Sequence, residues 1–114
     1  MNDYLLILRG GDEGSKSLSP EEMQQHMGSY MTWVEKLTKD GVYKGGNPLH
    51  REGNVLSKDA SNSVTDRPMT ESKEAIGGYF MISANDLAHA TETAKGCPIF
   101  KVGGTVEVRP LRAM

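Results

Sequence analysis

At 114 residues the chain has the length of one domain that can bury a core without disulfide or metal staples. Hydrophobic residues make up 37% and charged residues 25%, the mix of a soluble globular protein, and 13 basic against 15 acidic side chains leave a net charge of −2. That balance weighs against nucleic acid, which calls for a basic face, and no run approaches the length of a membrane span. The single cysteine, Cys97, cannot form an internal disulfide and suits a reducing cytosol. Leu5-Leu6-Ile7-Leu8 is too short for a signal-peptide core, so a cytoplasmic location is expected. The seven methionines either fill gaps in the core, the favoured reading, or form an adaptable surface.

In chain order, Tyr4 to Arg9 is an apolar run ending at Gly10-Gly11 and reads as a buried strand. Residues 10–18 carry Gly, Ser and charge, hence a loop. Ser19-Pro20-Glu21-Glu22 then gives a helix start: a capping hydroxyl, a first-turn proline, and a glutamate three residues on that completes a capping box. Met23, Met27, Tyr30, Met31, Val34 and Leu37 follow at steps of three and four, one apolar stripe, with His26 and Trp33 on its edge beside Tyr30. Gly41 ends that helix.

Val42-Tyr43-Lys44 begins a second strand, which Gly45-Gly46-Asn47-Pro48 interrupts or bends. Val55-Leu56-Ser57 and Ser63-Val64-Thr65 read as the arms of a polar hairpin. From Gly78 to Ser83, Phe80 and Ile82 alternate with Tyr79 and Met81 in strand fashion. Asn85-Asp86 caps a second helix, Leu87 to Lys95, with Leu87, Ala90, Thr91 and Ala94 turned inward. A connection over residues 97–104 leads to a last strand, Thr105 to Arg109, before Pro110.

This order is βαββαβ, which predicts a single α+β domain over residues 1–114, ferredoxin-like with an added hairpin and with two helices on one face of an antiparallel sheet. Val106 and Val108 point under the helices; Glu107 and Arg109 point to a face that no helix covers. The first strand and Tyr79 to Met81 are bulky on both faces, so a homodimer with sheets packed face to face is expected, enclosing a partly polar cavity.

One stretch concentrates ionisable groups. From Asp66-Arg67-Pro68 through Glu71, Lys73 and Glu74, it lies between two strands and closes on Gly77-Gly78. Asp66 is either a carboxylate at a pocket mouth or the former of an Asp-x-Pro turn. Arg67 either neutralises an anionic ligand or pairs with Asp66. Glu71 and Lys73 either line a site or follow Thr70 in a short capped turn. His26 is the default acid–base group, since histidine ordinarily titrates near neutrality, and Tyr30 and Trp33 would give it an aromatic wall; a packed core role is the alternative for all three. His50 and His89 are expected to be exposed, and Cys97 buried. Tyr79, Glu107 and Arg109 complete the candidate ligand contacts, and Glu107 and Arg109 are equally an ion pair across the dimer. The three histidines and one cysteine offer no metal-ligand spacing, no phosphate loop or dinucleotide fingerprint occurs, and neither metal nor cofactor is expected.

Ser19-Pro20-Glu21-Glu22-Met23, Gly45-Gly46-Asn47-Pro48-Leu49, Val64-Thr65-Asp66-Arg67-Pro68-Met69, the block from Glu71 to Phe80, Lys95-Gly96-Cys97-Pro98 and Val106-Glu107-Val108-Arg109-Pro110 resemble the YCII-related proteins of the Asp-Gly-Pro-Phe (DGPF) branch. The resemblance implies a dimeric α+β barrel. It implies a largely uncharacterised family, some of whose members do acid–base chemistry on small organic molecules and others of which are encoded beside extracytoplasmic-function sigma factors. The signature tetrapeptide here reads Asp66-Arg67-Pro68-Met69, with Arg for Gly and Met for Phe. The family's first-helix histidine falls by count near Tyr30, one turn after His26, so a His–Asp pair carries over loosely to His26 and Asp66.

Two functions follow. One is a cofactor-free enzyme of lyase or isomerase type, with His26 or Asp66 as base and Arg67 or Arg109 steadying negative charge. The other is a ligand-sensing module that engages a regulatory protein in sigma-factor signalling.

Overall fold

The computed structural model describes residues 1–50, 52–68 and 76–114, and of residues 12, 13 and 65–68 the backbone alone. The elements run β1 (Asn2–Arg9), α1 (Asp12–Lys16), α2 (Pro20–Lys39), β2 (Tyr43–Pro48), β3 (Asn54–Lys58), β4 (Val64–Pro68), β5 (Ile76–Ala84), α3 (Leu87–Ala94), a 3-10 turn (Pro98–Val102) and β6 (Thr105–Pro110). Four strands form an antiparallel sheet in the order β2-β5-β1-β6, consistent with a ferredoxin-like α+β fold. β3 and β4 pair with each other as a separate two-stranded hairpin. No helix among the described residues is long and apolar enough to cross a membrane.

The period-2 alternation decides which face is core. Tyr4, Leu6 and Leu8 of β1 are buried, and their neighbours Leu5, Ile7 and Arg9 on the opposite face are half-buried. In register, Leu6 sits beside Phe80 and Val108, and Leu8 beside Gly78 and Val106. Trp33 and Leu37 of α2 and Ala90 and Ala94 of α3 belong to the same core cluster, so both helices cover this face. Leu6 and Ile82 are fully buried, each stabilising the fold by about 1.5–3 kcal/mol through the removal of its side chain from water.

α2 begins as its sequence specifies. Ser19 Oγ accepts from the Glu22 amide at 3.1 Å, and Glu22 Oε1 accepts from the Ser19 amide at 3.0 Å. These bonds hold the Glu22 carboxyl below its ordinary range, the backbone bond from Ser19 contributing most. At the other end Gly41, with φ +74°, turns the chain out of the helix.

Several expectations are corrected. The buried residues of α2 are His26, Trp33 and Leu37, whereas Met27 and Met31 are 53% and 69% exposed. The core face is thus rotated off the stripe that the methionines mark, because the indole fills the space beneath the helix. Of the two readings of Gly45-Gly46-Asn47-Pro48, the bend holds and the interruption does not: β2 runs to Pro48 with a register shift between Tyr43 and Gly45. Residues 10–18 include the short helix α1, and residues 97–104 the 3-10 turn. On α3, Leu87 and Thr91 are exposed, leaving Ala90 and Ala94 as the buried pair. His89 is half-buried and engaged at the cap: its amide donates to Asp86 Oδ1 at 2.8 Å, and its Nδ1 accepts from the Asn85 amide at 3.0 Å.

Candidate functional site

A cleft of about 510 Å³ opens between α2 and the β2–β5 edge of the sheet. Its roof is the methionine side of the helix: Met23, Met27, Met31 and Val34 all line it. Its floor mixes side chains, among them Leu8, Tyr43, Phe80, Ile99 and Val102, with glycine backbone. Gly46 and Gly78 occupy helix-side positions of β2 and β5, opposite Phe80 and Pro48 respectively, so two places where a strand would raise a side chain are bare. A β-carbon on Gly46 would stand 2.5 Å from Phe80 Cδ1 and 2.6 Å from the Tyr79 carbonyl. The glycine is therefore required by the seating of the Phe80 ring, not by freedom of φ. A β-carbon on Gly78 would stand 3.1 Å from the Asn47 carbonyl, tight against the edge strand.

His26 brings the titratable group. It lies on the second turn of α2, buried to 9% exposure, and its ring meets Tyr30 edge-on at 5.2 Å between centroids. Among the described residues neither ring nitrogen of His26 makes a hydrogen bond, and the side chain lines the cleft. Tyr30 lies nearly parallel to Phe80 (6.2 Å, 15°), and Trp33 meets the same Phe80 edge-on at 5.1 Å. Phe80 is thus the hub of an aromatic cluster that also takes in Tyr43 at 6.4 Å. Behind it, burial pushes the Tyr30 phenol well above its ordinary pKa, and the neighbouring Cys97 thiol adds to the shift. Burial likewise raises the Cys97 thiol, opposed by hydrogen bonds from the Ile99 backbone and, less, from Tyr30, and Cys97 is buried as its sequence context suggested.

The candidate residues divide between places. His26 and Tyr30 line the cleft; Tyr79 borders it, but it alternates with Phe80 on β5 and pairs with Ile7, so its ring belongs to the opposite face of the sheet. Tyr79 also reaches along the sheet edge, its hydroxyl 3.5 Å from Asn47 Nδ2. Trp33 stands behind Phe80 in the core, a supporting wall and not a lining residue. Glu107 and Arg109 are on the opposite, uncovered face of the sheet: Arg109 Nη1 donates to Glu107 Oε2 at 3.1 Å, and Arg9 Nε approaches Glu107 Oε1 at 3.8 Å. The sheet separates that ion-pair group from His26. Asp66, Arg67 and Pro68 are on β4, in register with Leu56, Val55 and Asn54, and their side chains lie outside the described residues. Glu71 and Lys73 lie wholly outside them.

Sequence reasoning missed the cleft roof. The signal was present, since Met23, Met27 and Met31 recur every four residues, but the same spacing describes a core stripe. The glycine floor was half legible: Gly45-Gly46 and Gly77-Gly78 stand out in the sequence, yet only the pairing of β2 with β5 brings Gly46 and Gly78 together. Among the described residues no three His, Cys, Asp or Glu side chains are placed to hold a metal ion.

The fold and this cleft define a small α+β protein with a recess between its first long helix and a sheet edge. The YCII-related domain matches residues 4–114, nearly the whole chain, and the chain belongs to that family. No curated protein matches it.

Proposed function

We propose that the chain binds a small organic molecule in the cleft under α2 and that His26 exchanges a proton with it, supporting cofactor-free lyase- or isomerase-like chemistry. The observation that carries this reading is His26 itself: a mostly buried imidazole without hydrogen-bond partners among the described residues, lining a largely apolar cavity of ligand size. Tyr30 meets the His26 ring edge-on and completes the aromatic wall beside it. The chain leaves the cleft rim at Pro48 and returns to it at Gly77, where the Leu49 amide donates to the Gly77 carbonyl at 2.9 Å. Asp66, Arg67, Pro68, Glu71 and Lys73, the candidates of the DGPF-type stretch, all belong to the segment between these two rim positions. Asp66 is proposed as the partner that orients His26.

In this reading the protein works as a homodimer in the reducing cytosol. The half-buried Leu5, Ile7, Tyr79 and Met81 of the uncovered sheet face meet the same face of a second copy to form an α+β barrel, with Glu107 and Arg109 at the seam. Screening the wild type, His26→Ala and Asp66→Asn against small carbonyl and enol substrates tests the chemistry: loss of turnover in both variants supports it, and undiminished turnover in both overturns it. Sedimentation tests the assembly, since a monomer at micromolar concentration would remove the barrel.

A further inference from the structure

One turn of α2 gathers soft donors around the unpaired imidazole. Met23, His26 and Met27 stand at i, i+3 and i+4 on the continuous helix Pro20–Lys39. Met23 is therefore the surface neighbour of both others, with about 5–6 Å between β-carbons. Donors at these two steps of one helix are spaced to share a metal ion, as in the Glu-x-x-His pairs of di-iron bundles and the i, i+4 histidines of zinc proteases. All three side chains line the cleft. His26 is the fixed member: it is 9% exposed, set edge-on against Tyr30, and neither ring nitrogen is hydrogen-bonded among the described residues. The thioethers are the adjustable members. Met23 is half-buried and Met27 53% exposed, so their rotatable bonds let each sulfur swing to the imidazole without disturbing the core.

The donor set selects the ion. Two thioethers and an imidazole are neutral and soft, so they suit a monovalent closed-shell cation, Cu(I) or Ag(I), and bring no charge to compensate a divalent one. Harder or anionic donors stand elsewhere among the described residues. Glu35, the one carboxylate of the lining, follows Met23 by more than three turns of helix, and the Cys97 thiol bonds Tyr30 outside the cleft.

We propose that Met23, His26 and Met27 form a binding site for a soft monovalent metal ion, Cu(I) under reducing conditions. This goes beyond the acid–base reading of the cleft. A metal on the imidazole occupies the lone pair that proton exchange needs, so the ion and an organic ligand exclude each other at His26.

Ag(I) is the first probe, because it shares the coordination chemistry of Cu(I) and is stable in air. Full-length protein with isotope-labelled methionine methyls and histidine rings is titrated with silver nitrate in chloride-free buffer, and bound ions are counted by native mass spectrometry. The expected result is one ion per chain. The Met23 and Met27 methyls and a His26 ring nitrogen shift together in the NMR spectrum, while the methyl of Met81, paired with Leu5 on the uncovered sheet face, stays in place. Anaerobic Cu(I) competition against bicinchoninate is expected to show affinity falling at least about tenfold in Met23→Leu and in Met27→Leu, swaps that nearly conserve volume, and unchanged in Cys97→Ala. Zinc at equal concentration is expected not to displace the ion. His26→Gln removes the nitrogen directly and is expected to abolish the site; the two leucine variants carry the test should it lose structure. Binding lost in Cys97→Ala, a His26 ring that does not shift, affinity unchanged in either leucine variant, displacement by zinc, or no ion retained overturns the proposal, and each of these leaves the acid–base reading standing.

Discussion

The two faces of α2 make a quantitative test, because the sequence places Leu37 and Met31 on one stripe and the structure separates them. Leu37 is 3% exposed within the core cluster, so Leu37→Ala leaves a cavity and costs about 2–5 kcal/mol. Met31 is 69% exposed. Full burial of a methionine is worth about 1.5–3 kcal/mol and less than a third of this one is covered, so truncation loses under about 1 kcal/mol. Alanine's better helix propensity offsets part of that loss. At about 4 °C per kcal/mol for a domain of this size, Leu37→Ala lowers the Tm by roughly 8–20 °C and Met31→Ala by less than about 4 °C. Urea unfolding followed by far-UV circular dichroism measures both, at two protein concentrations so that association is separated from intrinsic stability. A cost of 2 kcal/mol or more for Met31→Ala in dilute protein would return the methionines to the core and remove the cleft.

Other consequences are checked more briefly. Ser19→Ala removes the oxygen that caps α2 and costs about 1 kcal/mol in the same unfolding assay. The Glu22 carboxyl titrates below its ordinary 4.5 in the folded state, so its contribution is present above that pH and lost as pH falls through the folded value; Glu22→Gln flattens the acid limb of a stability–pH curve. Tyr30 and Cys97 have the opposite sign. Their folded values lie above the ordinary 10.0 and 9.0, so the stability they contribute is intact below those values and lost as pH rises through the folded ones. Melts from pH 8 to 11 should therefore fall less steeply in the Tyr30→Phe, Cys97→Ala double variant than in the wild type. Gly46→Ala drives a β-carbon against the Tyr79 carbonyl and the Phe80 ring and costs about 1–3 kcal/mol, with a change in Trp33 fluorescence as Phe80 shifts; an unchanged spectrum and midpoint would refute the assigned role of this glycine.

Local chemistry settled much of this molecule in advance. The Ser19–Glu22 box and Gly41 bound α2, Asp86 starts α3, and the alternation of Phe80 and Ile82 with Tyr79 and Met81 turned β5 the right way, because caps and period-2 patterns act between residues close in sequence. Val106 and Val108 against Glu107 and Arg109 gave the two faces of β6 for the same reason. The cleft could not be read this way. Four-residue spacing puts Met23, Met27 and Met31 on one side of a helix but does not say whether core or open space lies opposite. That depended on Trp33 and Leu37 filling the space under α2, and on strands β2 and β5, far apart in the chain, pairing so that Gly46 and Gly78 leave two positions of the floor bare. Which side of a layer a residue occupies follows from packing between distant segments, and only the tertiary structure supplies it.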